Sequence, residues 1–336
     1  MSRPHVQIDA PNQVVDLRRH LDSMLPRFTA MPGVVGLTLN GGLARGYGDH
    51  LSEIDVTVFV TPQAFNNLKT GKPSVAQGIT VLDGQFYDVK YVEIDAERER
   101  DWADVVLWDA SYAQILYDPQ DLIQRLLAVK LSAGTDPGAA EGLLMSCWWY
   151  NELAGEIWVQ RGDALQGHHV FNQAVVSLVK ALFAANSEYV PHAKWLLHMS
   201  RSLEWRPADW ERRLGAAICT GDLTLNSLRA RQITIRGLWE EMDAYVRNES
   251  YPDLPVRVMQ RTAYEQLKLL VDEESVTIEE WRERTGTDVP NTDPHHAVII
   301  VSNGHVVLDR EALLRIGPED MYAWHYEVLQ AARNRA

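Results

Sequence analysis

The first part of the chain switches repeatedly between helical and strand-like hydrophobic patterns. Apolar residues recur at helical spacing over residues 13–30 and stop at Pro32-Gly33, which predicts a helix. Strands are predicted at "VVGLTLN" and "IDVTVFV", and a short helix at "TPQAFNNLK". Two further strands meet at Asp83-Gly84, a hairpin signal. A Trp-bearing helix near residues 96–109, a strand at "AQILYDP" and a helix in "QDLIQRLLAVKL" complete the pattern. We therefore expect an α+β domain with a mixed sheet over residues 1–132.

The pattern changes after the cluster "SAGTDPG" at residues 132–138, which is typical of a domain boundary. Long amphipathic runs predict that residues 133–290 form an all-α helical domain. The tail, residues 291–336, holds a hairpin signal at Asn303-Gly304 and a helix from about residue 317, and we expect it to pack on the helical domain. A cleft between the two main domains is then the expected place for function.

Composition narrows the function classes. The chain has 336 residues and a formal net charge of −14, so a broad basic surface for nucleic acid is not expected. No run approaches the roughly 18 apolar residues of a membrane span. With no zinc-like spacing, Cys147 and Cys219 are predicted to be reduced and buried, in a cytoplasmic protein. Composition does not predict the oligomeric state.

One stretch, "LNGGLARGYGDHLSEIDVTVFV", carries the candidate chemistry. Gly41 and Gly42 lack a Cβ, so their backbone can approach a phosphate closely at the turn after a strand. Glu53 and Asp55 project to one face of the next strand. The hairpin adds Asp88 in the middle of an apolar strand. Side-by-side carboxylates repel one another unless a cation neutralises them, and Mg²⁺ prefers this set of ligands. Asp88 has a second reading, as a solvated hairpin residue paired with Lys90.

The ordered residues "GGLARG...LSEIDVTVFV" resemble the signature of the nucleotidyltransferase superfamily with the DNA polymerase β-type catalytic fold. Gly41, Gly42, Ala44, Arg45, Gly46, Ser52, Ile54 and Asp55 match it in order. The resemblance implies that Glu53, Asp55 and Asp88 hold Mg²⁺, with Asp88 as a further ligand or as the base toward an acceptor hydroxyl. It also implies that Gly41, Gly42, Arg45 and Ser52 meet the nucleotide phosphates. One position departs from the pattern, because Glu53 stands where the family usually has Asp.

A second segment, residues 175–197, is similar to part of the spectinomycin/streptomycin adenylyltransferases. That resemblance implies that Lys180 and Lys194 contact the ATP phosphates from the helical domain. Nearby, "CWWYNELAGEIW" places aromatic and acidic residues on one helix. They either pack the core or face a cationic acceptor, and Glu152 is the substrate candidate among them.

The resemblances together imply an Mg²⁺-dependent nucleotidyltransferase, an enzyme that moves AMP from ATP to a hydroxyl of a small molecule. An aminoglycoside-like antibiotic is the implied acceptor, which would make the protein an antibiotic-resistance enzyme. Two alternatives stay open at this point. The acceptor is a protein hydroxyl, as in AMPylating toxin–antitoxin pairs, or the chain is a nucleotide-binding regulator whose chemistry the glutamate has weakened.

Overall fold

The computed structural model describes residues 3–71, 73–136, 138–250, 261–290 and 298–315. The chain divides into two compact units. The first spans Met1–Asp136 and Ser187–Glu204, and the second spans Pro137–Asn186 and Trp205–Ala336, counting in each the residues described.

The first unit alternates strands and helices as its sequence predicts. Its strands are β1 (Val34–Leu39), β2 (Ile54–Val60), β3 (Gly78–Leu82), β4 (Gln85–Glu93) and β5 (Gln114–Tyr117). Its helices up to residue 136 are α1 (Val14–Thr29), α2 (Gly41–Ala44), α3 (Pro62–Thr70), α4 (Ile94–Glu99), α5 (Asp104–Ala110) and α6 (Leu122–Lys130). The hairpin at Asp83-Gly84 is confirmed as the β3–β4 turn, in which Asp83 and Gly84 both have positive φ.

The five strands form one mixed sheet in the order β3-β4-β2-β1-β5. β2 and β4 are parallel, and the other neighbours are antiparallel. The predicted mixed sheet is therefore confirmed. One face of the sheet carries buried apolar residues such as Val56, Val58 and Val89, which pack with Leu21 and Phe28 of α1. The side chains that alternate with them along β2 and β4 point to the opposite face.

Two local expectations for the first unit differ from the structure. The Trp-bearing helix is broken, because α4 ends at Glu99 and α5 begins only at Asp104. The glycine pair forms the start of the short helix α2 rather than an open turn, and Asn40 in extended backbone precedes it.

The second unit is mostly helical, and the strand β6 at Ser275–Thr277 corrects the prediction that residues 133–290 are all-α. The elements after residue 138 are α7 (Ala139–Trp148), a π-helical turn (Trp149–Ala154), α8 (Gly155–Gln160), α9 (Ala164–Ala185), α10 (Leu196–Ser200), α11 (Trp210–Ile218), α12 (Leu225–Ser250), α13 (Arg261–Glu273), β6 (Ser275–Thr277), α14 (Ile278–Thr285), β7 (Ile299–Ser302), β8 (His305–Leu308) and α15 (Arg310–Arg315). Of these, α10 belongs to the first unit. The last three strands form an antiparallel sheet in the order β6-β8-β7. The hairpin at Asn303-Gly304 is confirmed, and the helix predicted from residue 317 lies outside the described residues.

Residues 187–204, predicted to be part of the helical domain, pack with the first unit. Long-range contacts to the N-terminal segment account for this placement. Arg3 forms an ion pair with Glu188 at 3.0 Å, and its guanidinium lies 3.7 Å from the Tyr112 ring centroid. The backbone N–H of His5 donates to Ser202 Oγ at 2.9 Å. A sequence pattern shows only neighbours along the chain, so it could not indicate these contacts.

Both cysteines are free thiols, but only Cys147 is buried, and the prediction that Cys219 is buried is wrong. Cys219 directly follows the end of α11, where the chain leaves the helix. Among the described residues, no helix combines the length and the hydropathy that a membrane crossing needs.

Candidate metal and nucleotide site

Three acidic side chains converge on the sheet face opposite α1. Asp55 on β2 and Asp88 on β4 are direct partners in the parallel register, and Glu53 immediately precedes β2. One carboxylate oxygen from each acid lies within 4.8 Å of those of the other two, and all three residues are half-buried. The extra methylene of Glu53 therefore does not remove its carboxylate from the group. This oxygen-only set is chemically suited to a hard divalent cation such as Mg²⁺.

The electrostatics of Asp55 show what this convergence costs. Burial, followed by the negative charges of Glu53, Asp109 and Asp88, raises the pKa of Asp55 to about 7, although the charge of Arg45 lowers it. A carboxylate in this setting has a strong tendency to take up a proton, because its charged form is disfavoured. A bound cation would relieve both the burial and the repulsion, so the observed electrostatics fit a metal site.

Gly41 is required beside Asp55 for two reasons. Its φ is +62°, a left-handed backbone conformation that residues other than glycine rarely adopt. In addition, a Cβ at this position would lie 1.8 Å from Asp55 Oδ2. The backbone N–H of Asn40 also donates to the carbonyl oxygen of Asp55 at 2.9 Å. The start of α2 is therefore seated directly against the central acid of the cluster.

A fourth acid, Asp109 at the end of α5, organises the start of α2. Its carboxylate accepts hydrogen bonds from Asn40 Nδ2 at 3.1 Å, the Gly41 backbone N–H at 3.3 Å and Arg45 Nη1 at 2.8 Å. Asp109 is not among the predicted site residues, because it lies more than 50 residues from the glycine pair in the chain. The only available signal was an acid inside the apolar run "VVLWDA".

Arg45, predicted to contact phosphate, is held in place by aromatic rings. Its guanidinium carbon lies 4.5 Å from the ring centroid of Trp108 and 5.8 Å from that of Trp195, which belongs to the segment 187–204. The side chain is only 4% exposed, and its Nε has no hydrogen-bond partner among the described residues. A buried cation fixed by rings and by one carboxylate is well placed to stabilise an anion.

Ser52 lies in a turn that Asp49 organises. Asp49 Oδ1 accepts hydrogen bonds from the hydroxyl of Ser52 at 3.1 Å and from the backbone N–H of Leu51 at 2.9 Å. Asp49 Oδ2 accepts from the Tyr47 hydroxyl at 2.7 Å. These hydrogen bonds lower the pKa of Asp49, the one from Tyr47 most strongly. The loop between the glycine pair and the acid pair is therefore ordered by its own side chains.

An open cavity of about 530 Å³ lies over Glu53 and Asp55 of the acid cluster, and all of its lining residues belong to the first unit. Asp88, the third acid of the cluster, is not among those lining residues. The lining of the cavity includes Gly41, Gly42, Arg45, Ser52, Glu53, Asp55, Thr57, Phe59, Lys90, Val92, Trp102, Asp109, Leu127, Lys194 and Trp195. Lys194 thus reaches the cavity from the segment 187–204 of the same unit, whereas the prediction assigned it to the helical domain. Lys90 forms no ion pair with Asp88 and has no side-chain partner among the described residues.

Two predicted site residues belong to the second unit. Lys180 lies in the middle of α9 and is half-buried. Glu152 lies in the π-helical turn, 4% exposed, and accepts hydrogen bonds from Arg236 at both carboxylate oxygens. Glu152 therefore has a structural partner within its own unit. The phosphate role of Lys180 and the substrate role of Glu152 remain predictions.

Comparison with known proteins adds little to this description. No protein-family model matches the chain, and no curated protein matches it. A similar solved structure is the crystal structure of a nucleotidyltransferase-like protein from Exiguobacterium sibiricum 255-15. The alignment has 10% identity, covers 80% of this chain and 84% of that chain, and has a TM-score of 0.39. Because a TM-score this low does not establish a common fold, support for a function comes from the site residues themselves.

Proposed function

We propose that the protein is a metal-dependent nucleotidyltransferase that moves a nucleoside monophosphate, AMP from ATP, to a hydroxyl group of an acceptor. The observation that carries this proposal is the convergence of Glu53, Asp55 and Asp88 beside the glycine-started helix α2. Acids grouped for structure alone would be expected to have cationic partners, as buried charges usually do. Here the nearby arginine is paired with Asp109 instead.

Glu53, Asp55 and Asp88 would hold a divalent ion such as Mg²⁺. Such an ion would supply charge neutralisation to the triphosphate and to the leaving pyrophosphate. Mg²⁺ is commonly held by a few carboxylates together with substrate phosphates, so ATP itself would complete the set. Burial and repulsion at Asp55 give the protein a physical reason to take up this ion.

Groups of the chain itself would position the substrates and stabilise the negative charge of the phosphates. The Gly42 backbone, the Ser52 hydroxyl, Arg45 and Lys194 line the part of the cavity next to α2, where the phosphates would bind. The acceptor oxygen forms a bond to the α-phosphorus, and the bond from that phosphorus to the β-phosphate oxygen breaks. Pyrophosphate leaves with the electron pair, and the acceptor proton passes to the carboxylate of Asp88. Such a transfer depends on alignment and electrostatic stabilisation more than on covalent chemistry from the protein.

The first test is calorimetric titration with ATP, GTP, CTP and UTP, each with and without Mg²⁺. We expect one nucleotide to bind in a Mg²⁺-dependent way, and we expect Asp55→Asn to lose that binding. Lys194→Gln should weaken it, while Lys69→Gln, at a lysine of α3 outside the cavity, serves as the matched control.

The second test is pyrophosphate release in an acceptor screen that includes aminoglycosides and hydroxyl-bearing proteins. Release that depends on both Mg²⁺ and an acceptor would support the enzyme. Tight nucleotide binding without release under any acceptor would favour the regulatory alternative. Absence of binding for all four nucleotides would contradict the proposal.

A further inference from the structure

The side chains on the floor of the cavity change from acidic to cationic to apolar along β2 and β4. Because the two strands are parallel and in register, Asp55 faces Asp88, Thr57 faces Lys90, and Phe59 faces Val92. All six residues alternate onto the same sheet face, and successive pairs are roughly 6.6 Å apart along the strands. The floor therefore runs from Asp55, whose strand partner Asp88 is not among the lining residues, through a polar, cationic pair to an apolar pair. We call the part beyond the acids the distal half, formed by Thr57, Phe59, Lys90, Val92, Trp102 and Leu127.

Lys90 supplies the uncompensated charge of the distal half. Its side chain is exposed to the cavity and has no partner among the described residues. Glu97 also lines the cavity, but its Oε2 accepts hydrogen bonds from Arg100 at 2.7 Å and from Trp102 Nε1 at 2.8 Å. That carboxylate is therefore already neutralised by its own neighbours. An unpaired ammonium group in a partly enclosed, apolar-walled space favours an anionic ligand.

We infer that the distal half binds the acceptor, and that the acceptor is an apolar alcohol carrying a carboxylate that pairs with Lys90. This inference rests on the proposed function, because the acceptor hydroxyl must reach the acidic pair. From there the carboxylate lies one pair further on, at Lys90, and the apolar body lies over Phe59 and Val92 against Trp102. One ammonium group balances a monoanion. A phosphate dianion would leave excess negative charge next to the acids, and a polycation would meet Lys90 with no free acid in the distal half.

The transfer to such an acceptor is the reaction described above and needs no further reactant. The alcohol oxygen bonds to the α-phosphorus of the nucleoside triphosphate, its proton passes to Asp88, and pyrophosphate leaves with the electron pair. The carboxylate takes no part in bond making. It fixes the position of the hydroxyl through its ion pair with Lys90.

The test uses three probes in which one carbon carries a hydroxymethyl group, the tested polar group and a phenyl ring: 3-hydroxy-2-phenylpropanoate, 3-hydroxy-2-phenylpropanamide and 3-amino-2-phenylpropan-1-ol. Their binding is measured by calorimetry with Mg²⁺ and the non-reactive analogue α,β-methylene ATP, and again without nucleotide. We expect the carboxylate to bind about tenfold more tightly than the amide, the factor that corresponds to about 1.4 kcal/mol, and the ammonium probe to bind most weakly. Lys90→Met should abolish the advantage of the carboxylate, and Lys90→Glu should transfer it to the ammonium probe. Lys69→Met should change neither.

Three results would overturn the inference. In the first, carboxylate and amide bind equally well to the unaltered protein, or neither binds. In the second, the ammonium probe binds best. In the third, Lys90→Met weakens binding of the nucleotide analogue and leaves the probes unaffected, which would assign Lys90 to the nucleotide instead.

The same data separate this inference from the proposed function. Lys90-dependent selectivity without any nucleotide binding would uphold the carboxylate site and contradict the transferase. Mg²⁺-dependent nucleotide binding without probe selectivity would uphold the transferase and contradict the carboxylate site. Retained melting temperatures show that the variants are folded, as expected for changes at an exposed lysine.

Discussion

Acids that are buried or half-buried occur in both units of the molecule, but their surroundings are opposite. In the second unit, Glu152 and Glu156 have side chains only 4% and 5% exposed, and each forms an ion pair, with Arg236 and Arg229 respectively. In the first unit, Asp55 is surrounded by Glu53, Asp88 and Asp109, and the nearby Arg45 is paired with Asp109. The second unit compensates these two acids with cations of its own, whereas in the first unit the acids around Asp55 stay clustered.

The two arrangements move the acid pKa values in opposite directions. Burial raises the pKa of Glu156, but hydrogen bonds from Gln160 and Gln232 and the charge of Arg229 more than offset this, so the net pKa is lowered. For Asp55, burial and three negative charges act together and raise the pKa to about 7. A buried acid with its own cation has its charge compensated within the fold. A cluster of acids without such a cation is costly to fold and is a candidate for binding a cation from outside.

The largest expected effect is on activity. Asp55→Asn should lower metal-dependent nucleotidyl transfer by at least about 10³-fold, because it removes a carboxylate from the site of developing charge. The folded state should persist, since the substitution also removes a repulsive charge. Pyrophosphate release and thermal unfolding measure the two quantities, and Asp16→Asn on the exposed face of α1 is the control. Transfer that survives Asp55→Asn would end the metal assignment.

The pH dependence of stability should differ in sign between the two regions when metal is absent. The pKa of Asp55 is raised in the folded state, so the folded protein binds more protons than the unfolded chain between about pH 4 and 7. As the pH rises through this window, the free energy of unfolding should therefore fall. Asp55 alone should account for up to about 4 kcal/mol of this fall, and its contribution should stay constant above about pH 7. Asp55→Asn should remove that contribution in urea unfolding with a chelator present.

Glu156 provides the opposite case in the same experiment. Because its pKa is lowered by folding, its contribution is present above the unfolded pKa and is lost as pH falls through the folded pKa. The stability difference between wild type and Glu156→Gln should therefore shrink toward acid pH. Equal pH profiles for the Asp55 and Glu156 variants would contradict the comparison.

Removing the cation from one of the paired acids should change the free energy of unfolding somewhat less than the titration of Asp55 does. Arg236→Met leaves the buried Glu152 carboxylate without its guanidinium and should lower the free energy of unfolding by about 3 kcal/mol. Arg212 is paired with Asp209 on the surface, with both side chains more than half exposed. Arg212→Met should cost no more than about 0.5 kcal/mol in the same urea titration. If Arg236→Met lowered the free energy of unfolding as little as Arg212→Met does, the ion pair of Glu152 would be unimportant for folding.

The smallest effect concerns the glycine that makes room for Asp55. Ala at Gly41 meets both a positive φ and the Asp55 carboxylate, whereas Ala at Gly46, where φ is +81°, has no atom within 4 Å of the added Cβ. Gly46→Ala should cost about 1 kcal/mol from backbone strain alone, and Gly41→Ala about 1–2 kcal/mol more. Only Gly41→Ala should also weaken Mg²⁺ binding. If Gly41→Ala and Gly46→Ala lost the same free energy of unfolding and the same Mg²⁺ affinity, the role assigned to Gly41 would be wrong.

Local pattern was sufficient for most elements of the first unit. Helical spacing predicted α1 and α6, alternation predicted β1 and β2, and two Asx-Gly turns predicted the hairpins at Asp83-Gly84 and Asn303-Gly304. These signals depend on neighbours along the chain, so they can be read without tertiary structure. The short strand β6, three residues long, carries no comparable pattern and was missed inside a helical region.

By itself, the sequence determined that acids would share a sheet face beside a glycine-started element, because strand periodicity and hairpin chemistry are local. Only the tertiary structure decided the surroundings. It brought Asp109 to the start of α2, stacked Arg45 on Trp108 and Trp195 and placed Lys194 in the first unit. It also left Lys90 without a side-chain partner in the part of the chain that the structure describes. The physical reason is that charge compensation depends on which distant side chains meet in three dimensions, and the spacing of residues along a chain does not contain that distance.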